Sequence, residues 1–206
     1  CSRVTFQQVI ARDVVATTRV MSAVSRRCLA GLVQMTSVNN TAANLATCTR
    51  YVKEAVDKGC KIVFFPECFA FIGARAGEAQ QIAEPLDGPT MQSYQGLARE
   101  HRVWLSLGGY QEAGPPGEQR IYNTHVVIDT SGTIQATYRK IHLFDVPNAG
   151  SGGWAPMESK QALAGDKLVS CDSPAGKLGV TICCATPGSF NSRCEHANAP
   201  HRCTAE

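Results

Sequence analysis

The sequence predicts an α/β fold in which neighbouring strands run parallel. Residues 29–65 have the pattern of a strand, a helix and a strand with short links, which is typical of a parallel crossover unit. A second helix and a third strand follow between residues 89 and 107. Two later pairs of apolar segments, each joined by a turn sequence, indicate antiparallel hairpins. The 206 residues are enough for one domain with its own core.

The crossover unit begins with the predicted strand Leu29–Met35, which is almost wholly apolar. A helix follows, because Asn39 or Asn40 can accept hydrogen bonds at its start and Gly59 can end it. The apolar face of this helix comprises Leu45, Cys48, Val52, Ala55 and Val56. Ile62–Phe65 is predicted as the second strand of the unit.

The next segment contains a variable connection and a second amphipathic helix. Residues 73–81 are small and polar, which predicts a loop or a short helix. The second helix begins near Pro89, because proline suits the first turn of a helix. Its apolar face comprises Met91, Tyr94, Leu97 and Ala98. Val103–Leu107 is predicted as the third strand.

Two hairpins are predicted in the remainder of the domain. Ile121–Ile128 pairs with Thr133–Tyr138 across an Asp-Thr-Ser-Gly turn. Leu168–Cys171 pairs with Leu178–Cys183 across a Ser-Pro-Ala-Gly turn. The stretch between the hairpins, residues 145–165, is rich in Gly, Pro and Ser and predicts a long loop.

Composition restricts the classes of protein and of partner. A hydrophobic content of 44% with 18% charged residues is typical of globular chains, and no apolar run approaches the roughly 20 residues of a membrane-spanning helix. A net charge of +3 is too balanced to indicate nucleic acid as the main partner. Ten cysteines could form a disulfide scaffold, but Cys48, Cys60 and Cys68 lie in or beside apolar elements, which favours a reducing compartment.

The two ends of the chain differ in composition from residues 28–184, which we expect to form the domain. Residues 1–27 carry five arginines and one acid, Asp13, which is typical of a mitochondrial transit segment. A disordered terminus is an equal alternative, and Met21 could begin a cytosolic form. We therefore expect a mitochondrial location, a cytoplasmic location or both. Residues 185–206 have no periodic apolar face and are expected to be a disordered tail.

Three side chains that can perform chemistry each follow a predicted strand. Glu67 is partly desolvated at an apolar strand end and suits a general base, although it could equally bond nearby backbone amides. Lys140 can hold an oxyanion, although most single lysines are surface residues. Cys183 lies at a strand exit, as many nucleophiles do, although cysteines often only fill space. If these strand ends converge at one sheet edge, the three groups form a site for acyl transfer.

The segments around these residues resemble the signature blocks of the carbon–nitrogen hydrolase (nitrilase) superfamily. The blocks are Phe64-Phe-Pro-Glu67, Tyr138-Arg-Lys-Ile-His-Leu-Phe-Asp145 and Gly179-Val-Thr-Ile-Cys183. They are most similar to the deaminated-glutathione amidase branch. The resemblance covers residues 29–183.

The resemblance implies Glu67, Lys140 and Cys183 as the catalytic triad. It also implies Glu158, in Met-Glu-Ser, as a second glutamate that orients Lys140 or the substrate; considered alone, Glu158 would be a solvated loop charge. In the implied mechanism Glu67 accepts the thiol proton, the thiolate attacks a small amide substrate, and Lys140 stabilises the oxyanion. Water then hydrolyses the thioester. The resemblance implies no metal and no cofactor.

The fold implied by the resemblance is a four-layer α-β-β-α sandwich that forms when two chains pair, so that the protein is a homo-oligomer. The resemblance ends at Cys183, because the family continues with Tyr-Asp, a helix and further strands, whereas Cys-Ala-Thr-Pro-Gly188 follows here. This departure implies an incomplete sandwich and a truncated, weakly active or inactive form. Unpaired strand edges and exposed apolar surface would favour aggregation.

Two alternatives to an amidase stay open at this point. One is a non-catalytic product that binds full-length subunits. The other is a metal-binding tail, since residues Cys194, His196, His201 and Cys203 offer two thiols and two imidazoles. Both pairs have Cys-x-His or His-x-Cys spacing, which matches no zinc finger, and no apolar residues flank them to fold around a metal.

Overall fold

The computed structural model describes residues 3–10, 27–145, 157–183 and 202–203. The strands are β1 (Arg3–Ile10), β2 (Arg27–Gln34), β3 (Ile62–Phe65), β4 (Trp104–Glu112), β5 (Ile121–Ile128), β6 (Ile134–Arg139), β7 (Leu143–Phe144), β8 (Ala162–Leu163), β9 (Val169–Ser173), β10 (Gly176–Val180) and β11 (Arg202–Cys203). The helices are α1 (Thr41–Asp57), α2 (Glu78–Gln81) and α3 (Pro89–His101), and a 3-10 turn spans Glu158–Lys160. The fold is therefore of the mixed α/β class, as predicted.

The centre of the fold is a seven-stranded mixed sheet in the order β1-β2-β3-β4-β5-β6, with β8 also paired to β5. The strands β2, β3 and β4 are parallel neighbours, which confirms the predicted crossover unit. The strand β5 is antiparallel to both β4 and β6. Because β6 consequently runs in the same direction as β3, the C-terminal ends of β3 and β6 lie at the same edge of the sheet.

Two helices cover one face of this sheet. Helix α1 begins where the Asn40 side chain accepts a hydrogen bond from the Ala43 N–H (2.9 Å), and Gly59 follows its end with φ +85°. The apolar faces of α1 and α3 were predicted correctly, and both pack into the main core. Their fully buried members include Cys48, Val52, Ala55, Met91, Tyr94 and Ala98.

The hairpin of β9 and β10 packs on the opposite face of the sheet. Val126 and Val127 are neighbours on β5, yet Val126 belongs to the core cluster that includes the helices, and Val127 belongs to a second cluster with Val180 and Ile182. Among the described residues, the two hairpin strands pair with each other alone, as a separate two-stranded sheet. The strand predicted to reach Cys183 ends at Val180. Cys183 itself has φ +50°, which an extended strand does not allow.

Two predicted segments differ from the structure near the sheet edge. The third strand was predicted to end at Leu107, but β4 continues to Glu112 through an irregularity between Leu107 and Tyr110. Gly109, with φ +89°, permits this bulge. Within the long loop predicted at residues 145–165, the described residues form a 3-10 turn and β8, because β5 offers a free edge there.

The ends of the chain also contain strands. Arg3–Ile10 forms β1 and pairs antiparallel with β2, so these eight residues differ from the disordered terminus considered above. The edge of β2 explains this pairing, since it offers unpaired backbone groups to a β-prone run. Residues 202–203 of the predicted disordered tail form β11, parallel to β7. Most of the transit segment, and Cys194, His196 and His201, lie outside the described residues, and the targeting role stays a prediction.

The described residues offer neither a helix suited to span a membrane nor a cluster of metal ligands. No helix in these ranges combines the length and apolar character needed to cross a bilayer. Within the same ranges, no group of three or more His, Cys, Asp or Glu side chains is arranged to hold a metal ion.

Candidate active site

Glu67 and Lys140 meet at the sheet edge where β3 and β6 end. The Nζ atom of Lys140 lies 3.1 Å from Oε1 of Glu67. The backbone of the loop that carries Glu67 is fixed by a hydrogen bond from the Cys68 N–H to the Gly109 carbonyl (3.1 Å). A Cβ atom on Gly109 would lie 2.8 Å from Cγ of Glu67, so only glycine lets the bulged strand approach this closely. The predicted convergence of these two groups is therefore confirmed.

Glu158 is the second carboxylate in contact with Lys140. Its Oε2 and Oε1 atoms lie 2.9 Å and 3.2 Å from the lysine Nζ. The Phe144 N–H donates to Oε2 of Glu158 at 2.7 Å, which fixes this carboxylate over the lysine. The 3-10 turn thus brings Glu158 to the same site as Glu67, and Glu158 is not a solvated loop charge.

The surroundings of Lys140 keep its ammonium group charged. The side chain is 3% exposed, and this burial by itself lowers the pKa of Lys140. The hydrogen bond and negative charge of Glu158, followed by those of Glu67, outweigh the burial and raise the pKa of Lys140 above its ordinary value. A group that holds its proton this firmly cannot act as a base at neutral pH, but it can stabilise a developing oxyanion.

Asn123 is a further residue of the site, and sequence reasoning missed it. Its Nδ2 atom donates to Oε1 of Glu67 at 2.6 Å and makes a longer contact of 3.4 Å with Oε1 of Glu158. Its backbone carbonyl accepts from the Lys140 N–H at 2.8 Å. A signal was present in the sequence, because asparagine is depleted in strands and Asn123 interrupts an apolar β-prone run.

Cys183 is exposed and has a left-handed backbone with φ +50°. It lies within electrostatic range of Cys68, the residue that follows Glu67. Burial first, and then the negative charge of Glu67, raise the pKa of Cys68 to about 11, with Lys140 acting in the opposite direction and Glu158 and Cys183 adding to the rise. The four predicted site residues therefore all lie within electrostatic range of the Cys68 thiol, although Cys183 follows the separate hairpin and does not belong to the main sheet.

His125 connects the main sheet to the segment that carries Cys183. Its Nδ1 atom lies 3.0 Å from the Thr181 carbonyl, and its Nε2 atom lies 2.7 Å from Oγ of Ser106. Because a carbonyl can only accept, Nδ1 carries the hydrogen and the serine hydroxyl donates to Nε2. This neutral imidazole fixes the backbone two residues before Cys183.

Acidification is expected to destabilise the fold through His125. Burial lowers the pKa of His125 from its ordinary 6.5, and the hydrogen bond to Thr181 offsets this only in part. Below about pH 6.5 the unfolded chain therefore takes up a proton that the folded chain refuses, and the free energy of unfolding falls. Urea unfolding of the wild type and of His125→Asn between about pH 5 and pH 7.5 checks this. The free energy of unfolding of His125→Asn should depend less on pH than that of the wild type, whereas a His101→Asn control should match the wild type. Equal slopes of this free energy against pH for all three proteins would contradict the prediction.

Comparisons with known proteins identify the family of the chain. The family model for carbon-nitrogen hydrolases matches residues 29–186. The deaminated glutathione amidase of Dictyostelium discoideum is 45% identical over 159 residues, which are 74% of this chain and 54% of that protein. The deaminated glutathione amidase of Homo sapiens is 41% identical over 172 residues, which are 80% of this chain and 52% of that protein. The chain spans about half the length of these curated relatives.

Solved structures share the fold. The crystal structure of the Caenorhabditis elegans NitFhit protein is 38% identical with a TM-score of 0.68, and the match covers 75% of this chain and 37% of that one. An amidase from Nesterenkonia sp. is 20% identical with a TM-score of 0.61 over 75% of this chain and 54% of that one, which supports the fold alone. The family match includes Glu67, Lys140, Glu158 and Cys183. The chain therefore belongs to the carbon–nitrogen hydrolase family.

Proposed function

We propose that this protein hydrolyses the carbon–nitrogen bond of a small amide through a thioester on Cys183, as an amidase of the deaminated-glutathione type. The observation that carries the proposal is the buried Lys140 ammonium in contact with two carboxylates, Glu67 and Glu158. The substrate class is supported by relatives of 41–45% identity that are deaminated glutathione amidases.

The contacts of the site assign different tasks to its charged groups. Lys140 stays protonated, which leaves a carboxylate as the base. The amide of Asn123 and the ammonium of Lys140 both donate to Oε1 of Glu67, so its Oε2 atom can accept the proton of a thiol. Glu158 holds the lysine from its other side and keeps the ammonium in place.

The proposed reaction then proceeds in two halves. Glu67 takes the proton of the Cys183 thiol, and the thiolate forms a bond to the amide carbonyl carbon, whose oxygen gains the negative charge that Lys140 stabilises. The carbon–nitrogen bond breaks as Glu67 returns the proton to the leaving nitrogen. Water loses a proton to Glu67 and attacks the thioester, the carbon–sulfur bond breaks, and Glu67 reprotonates the sulfur.

Removal of the base is expected to abolish this chemistry without unfolding the protein. Glu67→Gln keeps the shape of the side chain but cannot accept a proton, so kcat for deaminated glutathione should fall by about 10²- to 10⁴-fold. The same variant should slow alkylation of Cys183 by iodoacetamide. A Glu100→Gln control, on the exposed face of α3, should leave both rates unchanged.

Alkylation also tests whether the site is organised in the wild type. Cys183 should react about tenfold or more faster than its sequence neighbour Cys184, as followed by peptide mass spectrometry. Equal rates at Cys183 and Cys184, together with unchanged turnover in Glu67→Gln, would contradict the proposal.

A second candidate function is that of a non-catalytic subunit that binds full-length chains of the same family. Co-purification with such a subunit in the absence of turnover would support this second function.

Assembly into homo-oligomers and a mitochondrial or cytoplasmic location are part of the proposal. Zinc in the purified chain, measured by elemental analysis, would favour the metal-binding tail instead.

A further inference from the structure

We propose that Asn123 is a positioning residue that fixes the Glu67 carboxylate for its role as base, an inference that rests on the proposed function. The amide Nδ2 of Asn123 makes the shorter of the two described contacts with Oε1 of Glu67, at 2.6 Å against 3.1 Å for the Lys140 ammonium. Both donors reach the same oxygen, so together they limit rotation of the carboxylate and direct Oε2 away from them.

Lys140 alone is not sufficient to hold Glu67, because it also binds a competing carboxylate. Its Nζ atom is 2.9 Å from Oε2 of Glu158, and that carboxylate is itself fixed by a backbone N–H. Lys140 could move fully to Glu158 and release Glu67. The amide of Asn123 lies between the two carboxylates and donates to both, without adding a charge that would further neutralise the base.

The fold holds Asn123 rigidly in this place. On one side the Lys140 N–H donates to its backbone carbonyl. On the other side it pairs with Gln111 of β4, next to the bulge. A Cβ atom on Gly109 would lie 2.8 Å from Oδ1 of Asn123, so the side chain fits against bare backbone. An amide placed on a strand between two others has little freedom to follow a moving carboxylate.

The second polar atom of Asn123 argues against a purely structural role. Its Oδ1 atom is buried and has no hydrogen-bond partner among the described residues. A buried acceptor without a partner opposes folding, and an apolar side chain of the same shape would avoid that cost. The site therefore contains an amide whose Nδ2 donates to the base, although its Oδ1 atom accepts no hydrogen bond from the described residues.

Asn123→Leu is the test variant, because leucine keeps the γ-branched shape of asparagine, although it is larger, and has no donor. We expect the variant to fold with a melting temperature near that of the wild type, since loss of the unsatisfied acceptor offsets part of the cost of the larger side chain. We also expect kcat for deaminated glutathione to fall by about 10- to 100-fold, the usual cost of a misplaced catalytic group, with KM changed less than about twofold. Alkylation of Cys183 by iodoacetamide should slow by a similar factor.

Two further variants keep the test decisive. Asn123→Asp has the same shape but repels Glu67, so it should lose at least as much activity, and it replaces the leucine variant if that one does not fold. Asn39→Leu, an exposed position before α1, is the matched control and should behave as the wild type. Folded Asn123→Leu or Asn123→Asp with wild-type kcat and wild-type alkylation of Cys183 would overturn the inference.

The alkylation measurement separates this inference from the proposed function. It needs no substrate, so it reports on the Glu67–Cys183 pair even if the chain hydrolyses no amide. Slower alkylation in Asn123→Leu without turnover in the wild type would support the positioning role and contradict the amidase. Turnover in the wild type, with no effect of either Asn123 variant, would support the amidase and contradict the positioning role.

Discussion

Replacement of Cys183 by alanine is expected to abolish amide hydrolysis, with kcat/KM lower by roughly 10⁴-fold or more, because alanine has no sulfur to form the proposed thioester. The melting temperature should change little, since the side chain is exposed and contributes little packing. Steady-state kinetics with deaminated glutathione and a thermal scan of the same preparation provide the measurement.

Cys68→Ala is the matched control for this prediction. Cys68 belongs to the same site, but its pKa of about 11 keeps its thiol protonated at neutral pH. A protonated thiol is a poor nucleophile, so the Cys68 variant should retain turnover. Loss of activity in Cys68→Ala, with activity kept in Cys183→Ala, would assign the nucleophile to the other cysteine and contradict the proposal.

Replacement of Lys140 by methionine is expected to have the second largest effect, and to act on both activity and stability. Turnover should fall by about 10²- to 10³-fold, as when one donor to an oxyanion is removed. The free energy of unfolding should fall by about 3 kcal/mol, because the buried ammonium no longer separates the carboxylates of Glu67 and Glu158. Kinetics and urea unfolding check the two parts.

A double variant separates the catalytic from the structural effect. Lys140→Met combined with Glu158→Gln removes one of the opposed charges, so it should recover part of the lost stability without recovering turnover. Lys177→Met is the control, since Lys177 pairs with Asp172 in solvent, where the two side chains are 68% and 87% exposed, and such pairs contribute little. Equal destabilisation by Lys177→Met, or full turnover in Lys140→Met, would contradict the account.

The sequence was sufficient for the elements that depend on local signals. Helix α1 was predicted with its cap and its buried face, because Asn40 and Gly59 are local signals and apolar residues recur at helical spacing. The meeting of Glu67 and Lys140 was also predictable, because each follows a strand and both strands point to the same edge. Glu158 was found only through family resemblance, since no local pattern separates it from a solvated acid.

The rest depends on contacts between distant segments, which local patterns do not encode. Asn123 reaches Glu67 where β5 pairs with β4 beside a bulge, and the close approach there needs Gly109, which lies on a different strand from Asn123. The hairpin before Cys183 forms its own sheet, and the segment that follows it is tied to the main sheet by the contact between His125 and the Thr181 carbonyl. Likewise β1 forms by pairing with the edge of β2. The arginine-rich composition of residues 1–27 does not reveal this pairing.

The most direct test of the central claim is mass spectrometry of the protein quenched with acid during turnover of deaminated glutathione. The account predicts that the acyl part of the substrate is attached as a thioester to the peptide that contains Cys183, and that the adduct is missing in Cys183→Ala. Turnover with the acyl group on a different residue, or hydrolysis that persists in Cys183→Ala without any adduct, would contradict it.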